Sequence, residues 1–302
     1  MPERPYLHEV LLAVFGLVLS AALLLVAGLG APITSQVLGA TALFIAGVAV
    51  LARLDGLAHA FRLRLLLAYA ATFFFYASVK HTVPALGLPS RDGALLAADV
   101  LVFGITPAAW LQRWSAPWVH DVFSASYLAF HVYLHGAMAW AVVGPRSRAE
   151  RFFTHVFSAY VPGIAGYYLV PGLGPAAAWP ELFTAPIEGG WLTSLNAAVV
   201  AGGSSAYDIF PSLHTYITLV LLEHDRLEHP RRFRALVPVA VAIILSTLVL
   251  RYHYAIDVVA GALWFLAFRA GFPRLQERWG AWRLRPRARP APEACPVEPP
   301  FR

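Results

Sequence analysis

The sequence predicts an all-α polytopic membrane protein, with eight candidate transmembrane helices along the chain. Three observations carry that reading. Of its 302 residues, 59% are hydrophobic and 13% charged, where an average soluble domain carries about 25% charged residues. Apolar runs recur, most of them near the roughly 20 residues that span a hydrocarbon core of about 30 Å. Basic residues gather in alternate connections, as in a chain threaded repeatedly through a bilayer.

The elements follow in order. The run 9–28 is longer than a signal-peptide core, and Pro32 follows the plausible cleavage site, so it reads as a retained anchor. With 36–52 it forms an N-terminal helix pair within residues 1–62. Runs 63–79, 122–143, 152–170, 211–223, 235–250 and 256–272 make a six-helix core within 63–273. Residues 274–302 read as a basic, Pro/Arg-rich cytoplasmic tail. The single cysteine, Cys295, lies in that tail, which excludes an internal disulfide and a cysteine metal cluster.

Two connections, 80–121 and 171–210, are far longer than ordinary loops, and long loops in compact proteins usually serve function. The first contains an amphipathic run from Asp99 to Trp114, with Trp110, Trp114 and Trp118 suited to the membrane interface. The second contains Pro171-Gly172-Leu173-Gly174-Pro175 and Gly202-Gly203-Ser204-Ser205, which permit a tight fold-back over a site.

Net charge is +6, from 23 basic and 17 acidic residues. Its placement is a topology signal and not a nucleic-acid footprint. All the basic residues except Lys80, Arg91, Arg113 and Arg251 fall on one side of the predicted topology. The positive-inside rule puts that side, and both termini, in the cytoplasm. Lys80 is the single lysine, a composition that suggests a GC-rich genome and hence a bacterial plasma membrane.

Two histidine segments then stand out: Pro211-Ser212-Leu213-His214 and His253-Tyr254-Ala255-Ile256-Asp257. Each ends or begins an apolar run, and topology alone brings both to the outer border. Ionisable groups at such places usually mark function. Pro211 suits the first position of a helix, putting His214 in the first turn beside free N–H groups that favour an anion. His253 and Asp257 are four apart and share a face if helical. A carboxylate on one imidazole nitrogen frees the other for attack. Arg251 is a fixed cation beside them and can hold phosphate oxygens. The bland reading of any single histidine is structural, and His131, His135 and His155 receive no role. Two histidines and a carboxylate also suit a metal, but the converging anion-binding features favour phosphoryl transfer without one.

Phe210-Pro211-Ser212-Leu213-His214-Thr215 and His253-Tyr254-Ala255-Ile256-Asp257-Val258-Val259-Ala260-Gly261 resemble the second and third signature motifs of the type 2 phosphatidic acid phosphatase superfamily. That resemblance implies a six-helix core and cleavage of a phosphate ester through a phosphohistidine, with no metal and no cofactor. It implies His253 as nucleophile, Asp257 as its orienter and His214 as the acid for the leaving oxygen. The departures matter as well. The superfamily's first motif, Lys-x6-Arg-Pro, has no counterpart in 171–210, and Thr247 stands where the third motif carries arginine. This pattern resembles the inositol phosphorylceramide synthase branch and its lipid inositolphosphotransferases. So do Asp99-Val100-Leu101-Val102-Phe103-Gly104 and Tyr168-Leu169-Val170-Pro171-Gly172-Leu173-Gly174-Pro175. Arg251, Ser212, Lys80 and Arg113 are then the candidates to hold phosphate.

The expectation is a membrane phosphotransferase that moves a headgroup phosphate from a phospholipid to a lipid or polyol acceptor at the extracytoplasmic face. A phosphatase using water, and a non-catalytic lipid-binding protein, remain the alternatives.

Overall fold

A computed structural model describes residues 4–54, 57 and 59–284. The expected tail beyond residue 284, Cys295 included, lies outside the described residues. Those described are helical throughout, with no strand. Twelve α-helices follow in order: α1 (Leu7–Val26), α2 (Pro32–Arg53), α3 (Ala60–Ala85), α4 (Asp92–Phe103), α5 (Pro107–Leu111), α6 (Pro117–Val143), α7 (Arg146–Leu169), α8 (Pro175–Ala178), α9 (Trp191–Gly203), α10 (Leu213–Glu228), α11 (Pro230–Val249) and α12 (Ala255–Leu284).

Local chemistry explains the starts and stops. Proline opens α2, α5, α6, α8 and α11, where its missing N–H would have no partner anyway. Glu9 reaches back to the Tyr6 N–H at 2.7 Å and closes the first turn of α1. Gly104 ends α4 in the left-handed region at φ +77, which side chains on Cβ disfavour. That stop divides the expected amphipathic run 99–114 in two. The chain turns 67° before α5 and a short 3-10 segment continue it.

Five helices are long and apolar enough to cross a membrane: α1, α2, α3, α11 and α12, with the bent α4–α5 pair a sixth if counted as one span. Every run expected to span does form a helix. However, α6, α7 and α10 fall short of that test, and the reason is their position. They fill the middle of the bundle, where α10 packs on α6, α7, α11 and α12. Their inward faces carry Tyr133, Tyr160, His224 and Asp225 in place of lipid-facing aliphatics. At 16 residues α10 is also short, about 24 Å at 1.5 Å per residue.

The largest core cluster joins α3, α6, α7, α10 and α11 around Phe152, Phe157, Tyr216 and Val220, all with no exposed surface. A second cluster packs α1 and α2 onto α3 through Leu12, Val37, Phe44 and Phe75. The outside is the reverse of a soluble surface. Leu25 is 87% exposed, Val143 78% and Leu101 85%, as a belt facing acyl chains should be. The molecule is an all-α polytopic membrane protein.

Candidate active site

The motif residues meet at one end of the bundle. Ser212 caps α10: its Oγ accepts the Thr215 N–H at 3.3 Å, so the helix begins at Leu213 and not at Pro211. His214 sits in that first turn, as expected. His253 precedes α12 in a tight turn, with its N–H donated to the Thr247 carbonyl at 3.1 Å. Its link to Asp257 therefore comes from a turn leading into a helix and not from one helical face. The imidazoles of His214 and His253 are 6.0 Å apart between centroids. His253 Nδ1 lies 3.5 Å from Asp257 Oδ2, at the long edge of hydrogen bonding. A contact of this length can close when a ligand binds. Asp257 is anchored meanwhile: Oδ2 accepts the Tyr254 N–H at 3.0 Å, and its carbonyl accepts the Ser212 N–H at 3.1 Å. Gly261, the last residue of the third motif, lets α12 press on the α10 cap, since a Cβ there would lie 2.7 Å from the Ser212 carbonyl.

His214, His253 and Arg251 line a cavity of about 610 Å³ with Tyr76, Tyr127 and Tyr167. Among the described residues, buried His214 Nε2 and His253 Nδ1 have no hydrogen-bond partner. Arg251 adopts φ +63, an uncommon conformation for a side-chain-bearing residue and one that concentrates at functional sites. Its guanidinium stacks 4.8 Å from the Phe183 ring. Burial lowers the guanidinium's pKa from its ordinary value.

The other phosphate-binding candidates are not on this cavity. Ser212 spends its hydroxyl on capping, accepting also from Thr215 Oγ1. Lys80 is exposed near the end of α3 and does not line the cavity. Arg113 lies over the Trp110 ring at 4.4 Å and donates to the Trp110 carbonyl, held by its own interfacial segment.

Two carboxylates to which the sequence reading gave no site role support the site from behind. Asp99, fully buried on α4, accepts the Ile256 N–H at 2.8 Å, the Ala255 N–H at 3.1 Å and the Thr106 hydroxyl at 2.6 Å. It caps α12 from another helix, one residue beyond Tyr254. Asp92, two turns earlier on α4, accepts the N–H groups of Leu173 and Gly174 at 2.8 and 3.0 Å and the Tyr254 hydroxyl at 3.0 Å. The signal was present: two carboxylates seven apart beside an apolar run need partners. Among the described residues, no group of three or more His, Cys, Asp or Glu is placed to hold a metal ion.

The fold and site thus define a helical membrane protein with paired histidines and an arginine on one cavity. A family model described as PAP2 superfamily matches residues 94–270. The chain belongs to the PAP2 superfamily, that of membrane lipid phosphatases and phosphotransferases. The match spans both histidine motifs and Asp99, and starts after α3. No curated protein matches the chain, and no solved structure does.

Proposed function

We propose that this protein is a lipid phosphotransferase working through a phosphohistidine. The observation that carries the reading is the convergence of His214, His253 and Arg251 on one cavity, with Asp257 behind His253. In the first step the phosphate of a phospholipid rests on Arg251 and the α10 N-terminus. His253 attacks phosphorus, the P–O bond to the leaving alcohol breaks, and His214 donates its proton to that oxygen. Asp257 stabilises the charge gained by His253. In the second step an acceptor hydroxyl attacks the phosphohistidine, His214 removes its proton, and the P–N bond breaks. Positioning and charge stabilisation supply the rate.

The absence of both superfamily arginine positions supports transfer of an inositol-phosphate-like headgroup to a lipid or polyol. Superfamily membership equally supports hydrolysis, with water as the second nucleophile. The one-sided arginines support an extracytoplasmic site in a bacterial plasma membrane, with cytoplasmic termini.

The test is incubation of purified protein with phosphorus-labelled phospholipid and candidate acceptor alcohols. An acid-labile protein label and a phosphorylated acceptor are expected, both lost in His253→Ala. Free phosphate as the sole product would replace transferase by phosphatase. Turnover by His253→Ala equal to wild type would overturn the mechanism.

A further inference from the structure

The cavity holds charge of both signs, and the mechanism uses one. Among its described lining residues, Arg251 is the fixed cation and Asp208 the carboxylate. Neither has an ion-pair partner within 4 Å among the described residues, although both face the same space. A charge that is drawn at least partly out of water without an ionic partner is costly, and Arg251 is buried and Asp208 half-buried. A ligand with an anion at one end and a cation at the other complements both.

Asp208 is also built to offer charge more than hydrogen-bonding capacity. Its Oδ2 accepts the Tyr76 hydroxyl and, at 3.1 Å, the Ser205 N–H; its Oδ1 accepts the Ser204 hydroxyl at 3.2 Å. Three donors occupy most of the roughly four acceptor sites of a carboxylate. A polyol would find little left to bind, whereas an ammonium group needs only the field. Aromatic rings complete the setting. Tyr76 and Tyr167 stand 6.3 Å apart and inclined at 58°, with Phe73 and Tyr127 on the same cavity. Ring faces attract ammonium groups, quaternary ones included.

We infer that the donor is a zwitterionic phospholipid, whose phosphate faces Arg251 and whose amino-alcohol ammonium faces Asp208. This rests on the phosphotransfer reading for its chemistry and departs from the inositol expectation for its headgroup.

The test uses the full-length protein in vesicles with four labelled donors: phosphatidylethanolamine, phosphatidylcholine, phosphatidylglycerol and phosphatidylinositol. Wild type should favour a zwitterionic donor by about tenfold or more in kcat/KM, the scale of one charged contact. Asp208→Asn should cut that preference ratio by a similar factor, and Asp208→Glu, which keeps the charge, should retain most of it. The first two donors distinguish a primary from a quaternary ammonium. Preference for either polyol donor would overturn the inference, as would an equal fall on all four donors in Asp208→Asn. Affinities of His253→Ala for the same lipids give the selectivity without turnover. A zwitterion preference there, with no turnover by wild type, would uphold the headgroup assignment and remove the phosphohistidine reading. No preference there would remove the headgroup assignment alone.

Discussion

Buried charge is handled in opposite ways at the two ends of the bundle. Where α1, α3 and α7 begin and α10 finishes, ions are matched. Arg64, with no exposed surface, forks onto Glu9 through Nε at 2.9 Å and Nη2 at 2.6 Å. Asp225 accepts the Tyr133 hydroxyl at 2.8 Å and pairs with Arg232, and Arg283 reaches Glu150 at 2.7 Å. At the far end buried Arg251 and half-buried Asp208 have no ionic partner among the described residues. The difference separates two uses of one costly resource. Paired ions lock helices in register; Asp92 and Asp99 spend their charge on backbone N–H groups, and the charges that line the cavity are left for what enters it.

Substitutions at the two ends should therefore fail differently. The largest effect is expected at Glu9→Ala, which takes the Glu9 carboxylate away from a buried guanidinium. Stability should fall by about 3–5 kcal/mol, read from thermal unfolding in detergent, while turnover per folded molecule stays near wild type. A change of well under 1 kcal/mol would mean that the pair is energetically neutral and the comparison wrong at this end.

Next is Asp99→Ala, which leaves the Ala255 and Ile256 N–H groups without their acceptor. Misplacing the 253–257 turn should lower kcat by about a hundredfold with little change in KM. Asp99→Asn, which keeps one carbonyl acceptor, should recover part of it. Equal losses in kcat and folded yield would reduce Asp99 to a stability residue.

Arg251→Ala should cost about ten- to a hundredfold in kcat/KM, the worth of one charged hydrogen bond to phosphate. Arg251→Lys should restore only part, since the planar fork is gone. Wild-type turnover by Arg251→Ala would leave the residue as a mere stacking partner of Phe183. The smallest effect is expected from chelation: turnover at neutral pH should survive it. Loss on chelation with rescue by one metal would recast His214, His253 and Asp257 as ligands.

The eight long helices and the paired histidines were legible because both depend on local pattern, whereas the shorter helices inside the two long connections were not. Counting apolar runs brings His214 and His253 to one end whatever the packing, and each stands at the edge of its run. What escaped depends on distant partners. Asp92 and Asp99 share a helix face by spacing alone, but their acceptor role is visible only once the 171–175 and 253–257 segments are folded against α4. Lys80 and Arg113 lie on the right side of the chain by topology, yet side does not specify depth or direction. Arg113 stays over its neighbouring indole, and Lys80 stays at the surface. Ser212 stood among the phosphate candidates, and its hydroxyl is engaged in the α10 cap. The three interior helices escaped a composition test for the reason that makes them interior.

The Asp99 latch also has a consequence in time. Its partners on α12 lie 156 and 157 residues downstream. At about 5–20 residues per second, a ribosome needs roughly 8–31 s to supply them after Asp99 is made. Until then the nascent chain holds neither His253 nor the turn that presents it. The growing protein therefore inserts most of its length as an inert membrane passenger, and its chemistry starts only when the last helix is in place.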